Sequence, residues 1–548
     1  MIVFNGEIYN FKSIASELQS SGISLRTSSD TEVLIEAFTL WGTGFVHKLN
    51  GMFAFVIYDK QDHQLYLYRD RDGKKPLYYY RSDNLFVLGS ELKTIIAHPE
   101  VKKTLRIKRT TISSFLQLGY IHKPNTFFEN IFKFPDGHYG ILNKEFEFSV
   151  LSYWNIAHYL KTTHSIKEGN ALNHLKILVN KSVEMRLIAD VPVGVFLSGG
   201  IDSSLVTAVA SQHSKIKSFS IGFKEARFDE SIYAEKIARH LGTEHNTFIL
   251  EEKNAVELVD QYLEHFDEPF ADTSAIPTML ISALARREVK VALTGDGGDE
   301  LFLGYGSYTW AKRLNNSIVK FTKPILHTAL KNMPSSRARR ASHLFEKVRA
   351  GKMRRHIFSQ EQYLFSEDEI LNRLLSDRSY FSDWPYDDFQ YLKILSEEER
   401  QALFDIQFYL RDDLLVKVDR ASMFYGLECR CPLLDHELIQ FVVNLPRQLK
   451  KQNGTTKYLL KKMLFEFVPQ KYFDRPKWGF SIPLALWLKN DLDYLFDYLS
   501  NENLMRTNVF NADYVNVLKK KFLDGETYLY NRLWALIIAQ KFLLKYGV

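Results

Sequence analysis

The stretch Val191–Ser204, VPVGVFLSGGIDSS, constrains this chain more than any other. From Val193 to Leu197 it is a run of small and β-branched apolar residues, which predicts a strand buried on both faces. The run breaks at Ser198-Gly199-Gly200, and a helical pattern, LVTAVASQ, follows from Leu205. A glycine loop between a buried strand and a helix start aims backbone N–H groups and a positive dipole end at one spot. That spot suits an anion, most obviously phosphate. Ser198, Ser203 and Ser204 add hydroxyl donors, and Asp202 puts a carboxylate into the same loop. The carboxylate would repel a bound phosphate unless a divalent cation lay between them, so Asp202 implies Mg²⁺. No lysine follows the glycines, which separates the loop from the GxxxxGK[ST] nucleotide loop.

A second signal, Leu293–Glu300, reads LTGDGGDE and closes the predicted strand VKVALTG. It therefore sits at the carboxyl end of a strand. Open α/β sheets place their ligands at that edge, and the Ser198 loop belongs to the same edge. Glycine turns carrying Asp296, Asp299 and Glu300 supply metal-binding oxygens beside backbone donors.

Around these two loops the text from about residue 165 alternates strand and helix. Helix ALNHLKILVNKSVEMRL precedes the first strand, and SFSIGF, SIYAEKIARHLG, NTFIL, AVELVDQYLEHF, TMLISALARR and VKVALTG follow it. That order predicts a parallel sheet covered on both faces. From Trp310 onward the pattern is helical. Between Lys312 and Arg355 every charged residue except Glu346 is basic, which reads as a solvated face rather than a polyanion site. Residues 1 to about 155 have a different grammar. An opening strand, MIVFNGEIYN, precedes a helix ended by Gly22. Ser29-Asp30-Thr31-Glu32 has capping-box spacing and starts a second helix. MFAFVIYD, QLYLYRD, LYYYRS and NLFVLGS then predict a meander with Arg69–Gly73 as one of its turns. Apolar periodicity fades around Tyr153–Gly169, so two domains are expected, 1–155 and 165–548.

At 548 residues, 45% hydrophobic and 25% charged, the chain can bury sizeable cores and is not of disordered composition. A net charge of +6 over this length gives no reason to expect nucleic acid. Two cysteines exclude a disulfide framework and suit a reducing cytoplasm. No apolar run reaches membrane-spanning length, and Met1–Phe4 meets Asn5-Gly6 too soon for a signal peptide.

The loop SGGIDS resembles the pyrophosphate loop of adenylating (N-type) ATP pyrophosphatases, which split ATP into AMP and pyrophosphate. Over its whole length the chain is similar to the glutamine-hydrolysing asparagine synthetases. The resemblance is carried in order by FNGEIYNF, SSDTEVLIEAFTLWG, LNGMFAFVIYD, RDRDGKKPLYY, FLSGGIDSS, DEPFADTSAIPT, TGDGGDELFLGY, LVKVDRASM, PLLDH and RPKWGFSIPLALW. It implies an N-terminal Ntn-type glutaminase, mostly a β sandwich with helices. An ATP pyrophosphatase domain of the adenine-nucleotide alpha-hydrolase kind with a helical C-terminal part would follow. The implied reaction is attack of a substrate carboxylate on the α-phosphorus of ATP, then displacement of AMP by ammonia. By the same resemblance Ser198, Gly199, Gly200, Asp202, Ser203 and Ser204 hold pyrophosphate. Leu197, Ile221, Thr294 and Gly295 line the nucleotide pocket, and Asp202 with Asp299 holds Mg²⁺. Asp296 matches a position that supports formation of the intermediate, where some members carry glutamate. Lys457, otherwise readable as a solvated helix lysine, matches a lysine that stabilises developing phosphate and acyl charge. Asn5, Gly6 and Glu7 match the oxyanion-hole and glutamine-contact motif. Asp30 matches the acid that receives the glutamine α-amino group, although it could equally serve only the helix dipole. Cys429 and Cys431 replace apolar positions of a family strand and read as small buried hydrophobes.

One departure stands at the front. The family's nucleophilic N-terminal cysteine lies several tens of residues before FNGEIYN, where this chain begins. Either an upstream start has been passed over, which is the expectation, or half of the glutaminase sheet is missing and Ile2–Phe4 is an unpaired edge. The chain as written is then expected to use free ammonia. The acceptor is expected to be aspartate, with another carboxylate such as a sugar uronic acid as the alternative; a non-catalytic scaffold would have no chemical need of the loop carboxylates. The partners are small molecules, with no nucleic acid and no membrane, and a homodimer is compatible with the sequence.

Overall fold

The computed structural model describes residues 1–160, 165–223, 229–250, 252–349, 351–382, 395–474 and 482–547. Part of the expected boundary around Tyr153–Gly169 and most of RPKWGFSIPLALW lie outside these residues.

The N-terminal part holds two antiparallel sheets. The larger orders its strands Ile2–Ile8, Gly51–Asp59, Gln64–Arg69, His138–Leu142 and Phe148–Ser152. The smaller joins Phe86–Gly89, Tyr78–Arg81 and Ile131–Lys133. The predicted strands exist, but the continuous meander does not. After Arg69 the chain leaves the first sheet, and Tyr78–Arg81 starts the second. The cause lies in the turn itself. The Asp70 carboxylate accepts the backbone N–H groups of Phe53, Asp72, Lys74 and Lys75 at 3.0–3.1 Å, which closes a compact loop instead of a hairpin. Strand Ile2–Ile8 pairs with Gly51–Asp59 along its length and stands at the edge of the described sheet. The helix Asp30–Trp41 is capped by Ser29, whose side chain accepts from the Thr31 N–H. The expected reciprocal box does not form, because Glu32 accepts from Arg26 and Thr27 instead.

The central sheet is parallel throughout, in the order Glu244–Leu250, Lys217–Phe223, Val193–Phe196, Val291–Leu293, Glu428–Arg430. Its first four strands are those expected from the alternating text. The fifth interrupts the helical text after Trp310, where the family resemblance alone puts Cys429 and Cys431 on a strand. Glu428–Arg430 is too short to show a period, and it forms because Leu293 offers Arg430 a parallel partner. The remaining C-terminal elements are mostly helices, and the last, Tyr530–Tyr546, is buried along most of its length. The basic stretch also needs correction at its end: Lys352, Arg354 and Arg355 are buried, with Arg355 paired to Glu367 at 2.7 Å. Among the described residues no helix is long and apolar enough to cross a membrane.

The two halves are joined by buried charge. Arg186 meets Asp435 at 3.1 Å, and the same carboxylate oxygen accepts from Asn50 at 2.9 Å. Lys75 reaches Asp419 at 2.9 Å, while Lys74 donates to the Leu434 carbonyl at 3.1 Å. The motif RDRDGKK is therefore a brace between the halves as well as a turn.

Candidate active site

Strand Val193–Phe196 starts the parallel sheet, and the chain first winds outward to Lys217–Phe223 and Glu244–Leu250. It then crosses to the other side and lays Val291–Leu293 directly against Val193–Phe196, with Leu293 opposite Val195. The winding reverses between these two strands. A crevice opens at their carboxyl ends, as it does at such points in open α/β sheets. The Ser198 and Thr294 loops are the two lips of that crevice.

Close backbone approach makes the glycines necessary. Gly199 adopts φ +75°, in the left-handed region that glycine enters without strain. A Cβ on Gly295 would lie 2.6 Å from the Ser203 nitrogen. A Cβ on Gly298 would run into the Asp202 carboxylate, and one on Gly304 into Asp299 and Lys457. Helix Ile201–His213 starts at Gly200 and directs its N-terminus at the crevice. Within the loop the hydroxyls satisfy one another: Ser198 and Ser203 Oγ are 3.0 Å apart, and Ser203 Oγ accepts from the Ser198 N–H at 3.2 Å.

A cavity of about 600 Å³ occupies the crevice. Of the residues expected there, Leu197, Ser198, Gly200, Asp202, Ser203, Ile221, Thr294, Gly295, Asp296 and Asp299 line it. Gly199 and Ser204 do not. Ser204 is fully buried beneath the loop, and its side-chain oxygen has no hydrogen-bond partner among the described residues. Asp296 is oriented by Thr294, whose hydroxyl donates to it at 2.6 Å.

Lys457 stands between the two loops. Its ammonium contacts the Asp202 carboxylate and lies 2.6 Å from Asp299. It is buried, not the solvated lysine that its helical neighbourhood suggested. Burial opposes its charge, but the attraction of Asp202 and Asp299 wins and holds its pKa above the ordinary 10.5. Asp202 and Asp299 are thus placed to share one cation. That arrangement fits Mg²⁺, which is commonly held by one or two carboxylates with substrate phosphates completing the shell. Among the described residues no group of three or more His, Cys, Asp and Glu side chains could hold a metal ion by itself.

Further residues in the cavity carry charge that the sequence motifs do not explain. Lys417 donates to Ser274 at 3.0 Å and lies 3.5 Å from Asp272, with Asp413 beside them. Burial, then Asp272, raises the Asp413 pKa well above the carboxylate range. Lys417 stays charged against its burial because Asp272, Asp296 and Asp413 surround it. Tyr305, Tyr363, Tyr409 and Tyr530 complete the walls. The only sequence signal for this group was that DEPFADTSAIPT and LVKVDRASM contain Asp272, Ser274 and Lys417.

The four residues matched to glutamine chemistry cluster at the opening strand. Gly6 has φ +148°, and a Cβ there would strike the Met52 carbonyl. Asn5 donates to Ser90 at 3.3 Å, and Asp30 accepts the Ile8 N–H at 3.2 Å. Burial raises the pKa of Asp30. Burial and then Glu428 raise Glu7 to about 7, although Arg430 is 3.7 Å away. Cys429 and Cys431 are buried and unbridged. Burial pushes the Cys431 thiol up to about 12 and that of Cys429 higher still. These are packing residues, as expected.

Residues 174–544 match the family model for asparagine synthase, and residues 1–154 match that for the glutamine amidotransferase domain. Asparagine synthetase [glutamine-hydrolyzing] 1 of Bacillus subtilis is 31% identical over 547 residues, covering 98% of this chain and 84% of that one. The chain belongs to the asparagine synthase family. It is thereby an ATP-dependent amidotransferase of the ligase class. Two other relatives are more distant. Asparagine synthetase [glutamine-hydrolyzing] 3 of B. subtilis is 27% identical, covering 87% of this chain and 74% of its own. Amidase chry2 of Gibberella zeae is 25% identical, covering 94% and 81%. Among solved structures, glutamine phosphoribosylpyrophosphate amidotransferase of B. subtilis complexed with ADP and GMP overlaps at a TM-score of 0.21 with 13% identity over 57% of each chain. That likeness is too slight to bear on the fold.

Proposed function

We propose that this chain makes asparagine by activating aspartate as β-aspartyl-AMP and amidating it with ammonia, normally drawn from glutamine in the N-terminal half. Residues 1–155 would form the glutaminase-type domain and 165–548 the synthetase. The observation that carries the reading is the pair Asp202 and Asp299, drawn from two loops onto one cation at the sheet's switch point.

In this reading ATP lies in the crevice with its pyrophosphate over the Ser198–Ser203 loop and the helix N-terminus, and its base toward Leu197, Ile221 and Gly295. Mg²⁺ held by Asp202 and Asp299 would neutralise phosphate charge there. Lys457, released from the two carboxylates, would face the charge that builds on the α-phosphate as the acceptor oxygen attacks. The new acyl–phosphate bond forms as pyrophosphate leaves. Asp296 would support formation of this intermediate; ammonia then attacks the acyl carbon, AMP departs with the acceptor's oxygen, and the surplus proton is lost to solvent. Asn5, Gly6, Glu7 and Asp30 would contact glutamine.

The charges of the acceptor lobe favour an amino acid. Lys417 offers a cation to an α-carboxylate, while Asp272 and Asp296 offer anions to an α-ammonium group and the protonated Asp413 beside them offers a hydrogen-bond partner. A uronic acid would use only the first of these. The tyrosine walls are the feature that favours the second reading, because aromatic faces also receive sugar rings. The test supplies purified protein with ATP, ammonium and a panel of carboxylic acids. AMP and asparagine are the expected products; AMP release with a uronic acid and none with aspartate would transfer the assignment.

A further inference from the structure

The helix Ser317–Lys331 covers no core of its own and buries none of its residues. On its inner side Val319 packs on the small cluster of Ala311, Leu314, Leu344 and Ile357. Its outer side is apolar yet open: Ile318 is 74% exposed, Phe321 85% and Ile325 69%. Their spacing of three and four residues puts them on one stripe. Lys320 and Lys331 are exposed, about three turns apart on one rim of that stripe. From Lys312 to Phe345 every charged residue is basic.

We propose that this helix docks the protein on an anionic lipid surface, with Phe321, Ile318 and Ile325 in the acyl boundary and the lysines at the headgroups. A convex apolar ridge edged by cations is the form of an interfacial helix. Charge argues against a second copy as the occupant. A two-fold interface would set this basic rim against its own like charges. The docking is peripheral, in keeping with the lack of a spanning helix among the described residues. It leaves the crevice free, since no residue of Ser317–Lys331 lines the cavity.

The experiment sediments the full chain with vesicles of phosphatidylcholine alone and of phosphatidylcholine mixed with phosphatidylglycerol, at low and high salt. The chain should bind the mixed vesicles, bind pure phosphatidylcholine weakly, and be released in part by salt. The double variant Phe321→Ser, Ile325→Ser alters only exposed side chains. It should lose vesicle affinity by about tenfold or more, with amide synthesis in solution unchanged. Lys320→Glu with Lys331→Glu should abolish the preference for the anionic vesicles. The proposal is overturned if the parent chain stays in solution with anionic vesicles at low salt, or if the serine variant sediments like the parent. It is equally overturned if the serine variant only converts a self-associated protein to monomer, which would make a second copy the occupant.

Discussion

An ammonium group shared by a buried and a half-buried carboxylate has little reason to move until something offers those carboxylates a better cation. Lys457 is in that position, and its neighbours suggest how the site responds to nucleotide. Asp202→Asn removes one of the two charges, so exchange of pyrophosphate into ATP should fall on the order of 100-fold. A variant that exchanges like the parent would show that the loop has been misassigned. Lys457→Ala should lower kcat far more than it raises the KM for ATP, because its charge is wanted as the transition state forms. Steady-state kinetics in ATP distinguish this from a binding role, which would move KM alone. Away from the site, Asp435 lies beside Arg186 with both side chains buried. Burial opposes its ionisation, but Arg186, His436 and the Asn50 amide hold its pKa well below the usual 3.8. Its contribution to stability is therefore fully present above about pH 4 and is lost as pH falls through the depressed value. Asp435→Ala should cost about 3–5 kcal/mol by leaving Arg186 buried without its carboxylate, as measured by denaturant unfolding at neutral pH.

The loops are the elements on which function rests, and they were also the most legible in the sequence. A buried apolar run stopped by glycines and followed by helical text has few other readings, so both lips of the crevice were found from residue types and order. Strand neighbours were less legible. That Val291–Leu293 lies against Val193–Phe196 is a fact of topology, and without it Asp202 and Asp299 share only a motif resemblance. Short elements hide for a different reason. Glu428–Arg430 shows no period of its own, so only the family resemblance marked Cys429 and Cys431 as strand residues, and the strand forms where Val291–Leu293 presents an open edge. Lys417 and Asp413 gave no role of their own because a charged residue in helical text looks the same whether it faces solvent or a cavity, and Asp272, in the loop before Ala275, stood out only through its motif. Ser204 illustrates the converse: its place in the motif implied a ligand contact, yet helix geometry turns it inward. Gly298→Ala tests the lips directly. The added methyl meets the Asp202 carboxylate, so exchange should collapse while circular dichroism and the thermal midpoint stay near those of the parent. Retained exchange would mean that the two loops do not close on one another in solution.

At the scale of the whole molecule, an amidotransferase half and a parallel-sheet half meet through Lys74, Lys75, Asn50 and the strand Glu428–Arg430. Glu7 of the first half and Arg430 of the second are 3.7 Å apart, so the edge strand of the parallel sheet meets the strand that carries Asn5–Glu7. Lys75→Ala would strand Asp419 at this junction and should lower the thermal midpoint while asparagine synthesis from ammonium stays near that of the parent. Thermal unfolding beside the ammonium-dependent assay checks this; an unchanged midpoint would show that the contact does not brace the halves. The central claim is that a carboxylate is adenylated in the crevice before nitrogen arrives. Its most direct test supplies aspartate labelled with ¹⁸O in the β-carboxylate, together with ATP and ammonium, and weighs the nucleotide product. Attack of that carboxylate on the α-phosphorus leaves one labelled oxygen on AMP once ammonia has displaced it, and this is the predicted result. Formation of ADP and phosphate, or of AMP without the label while asparagine accumulates, would contradict the account.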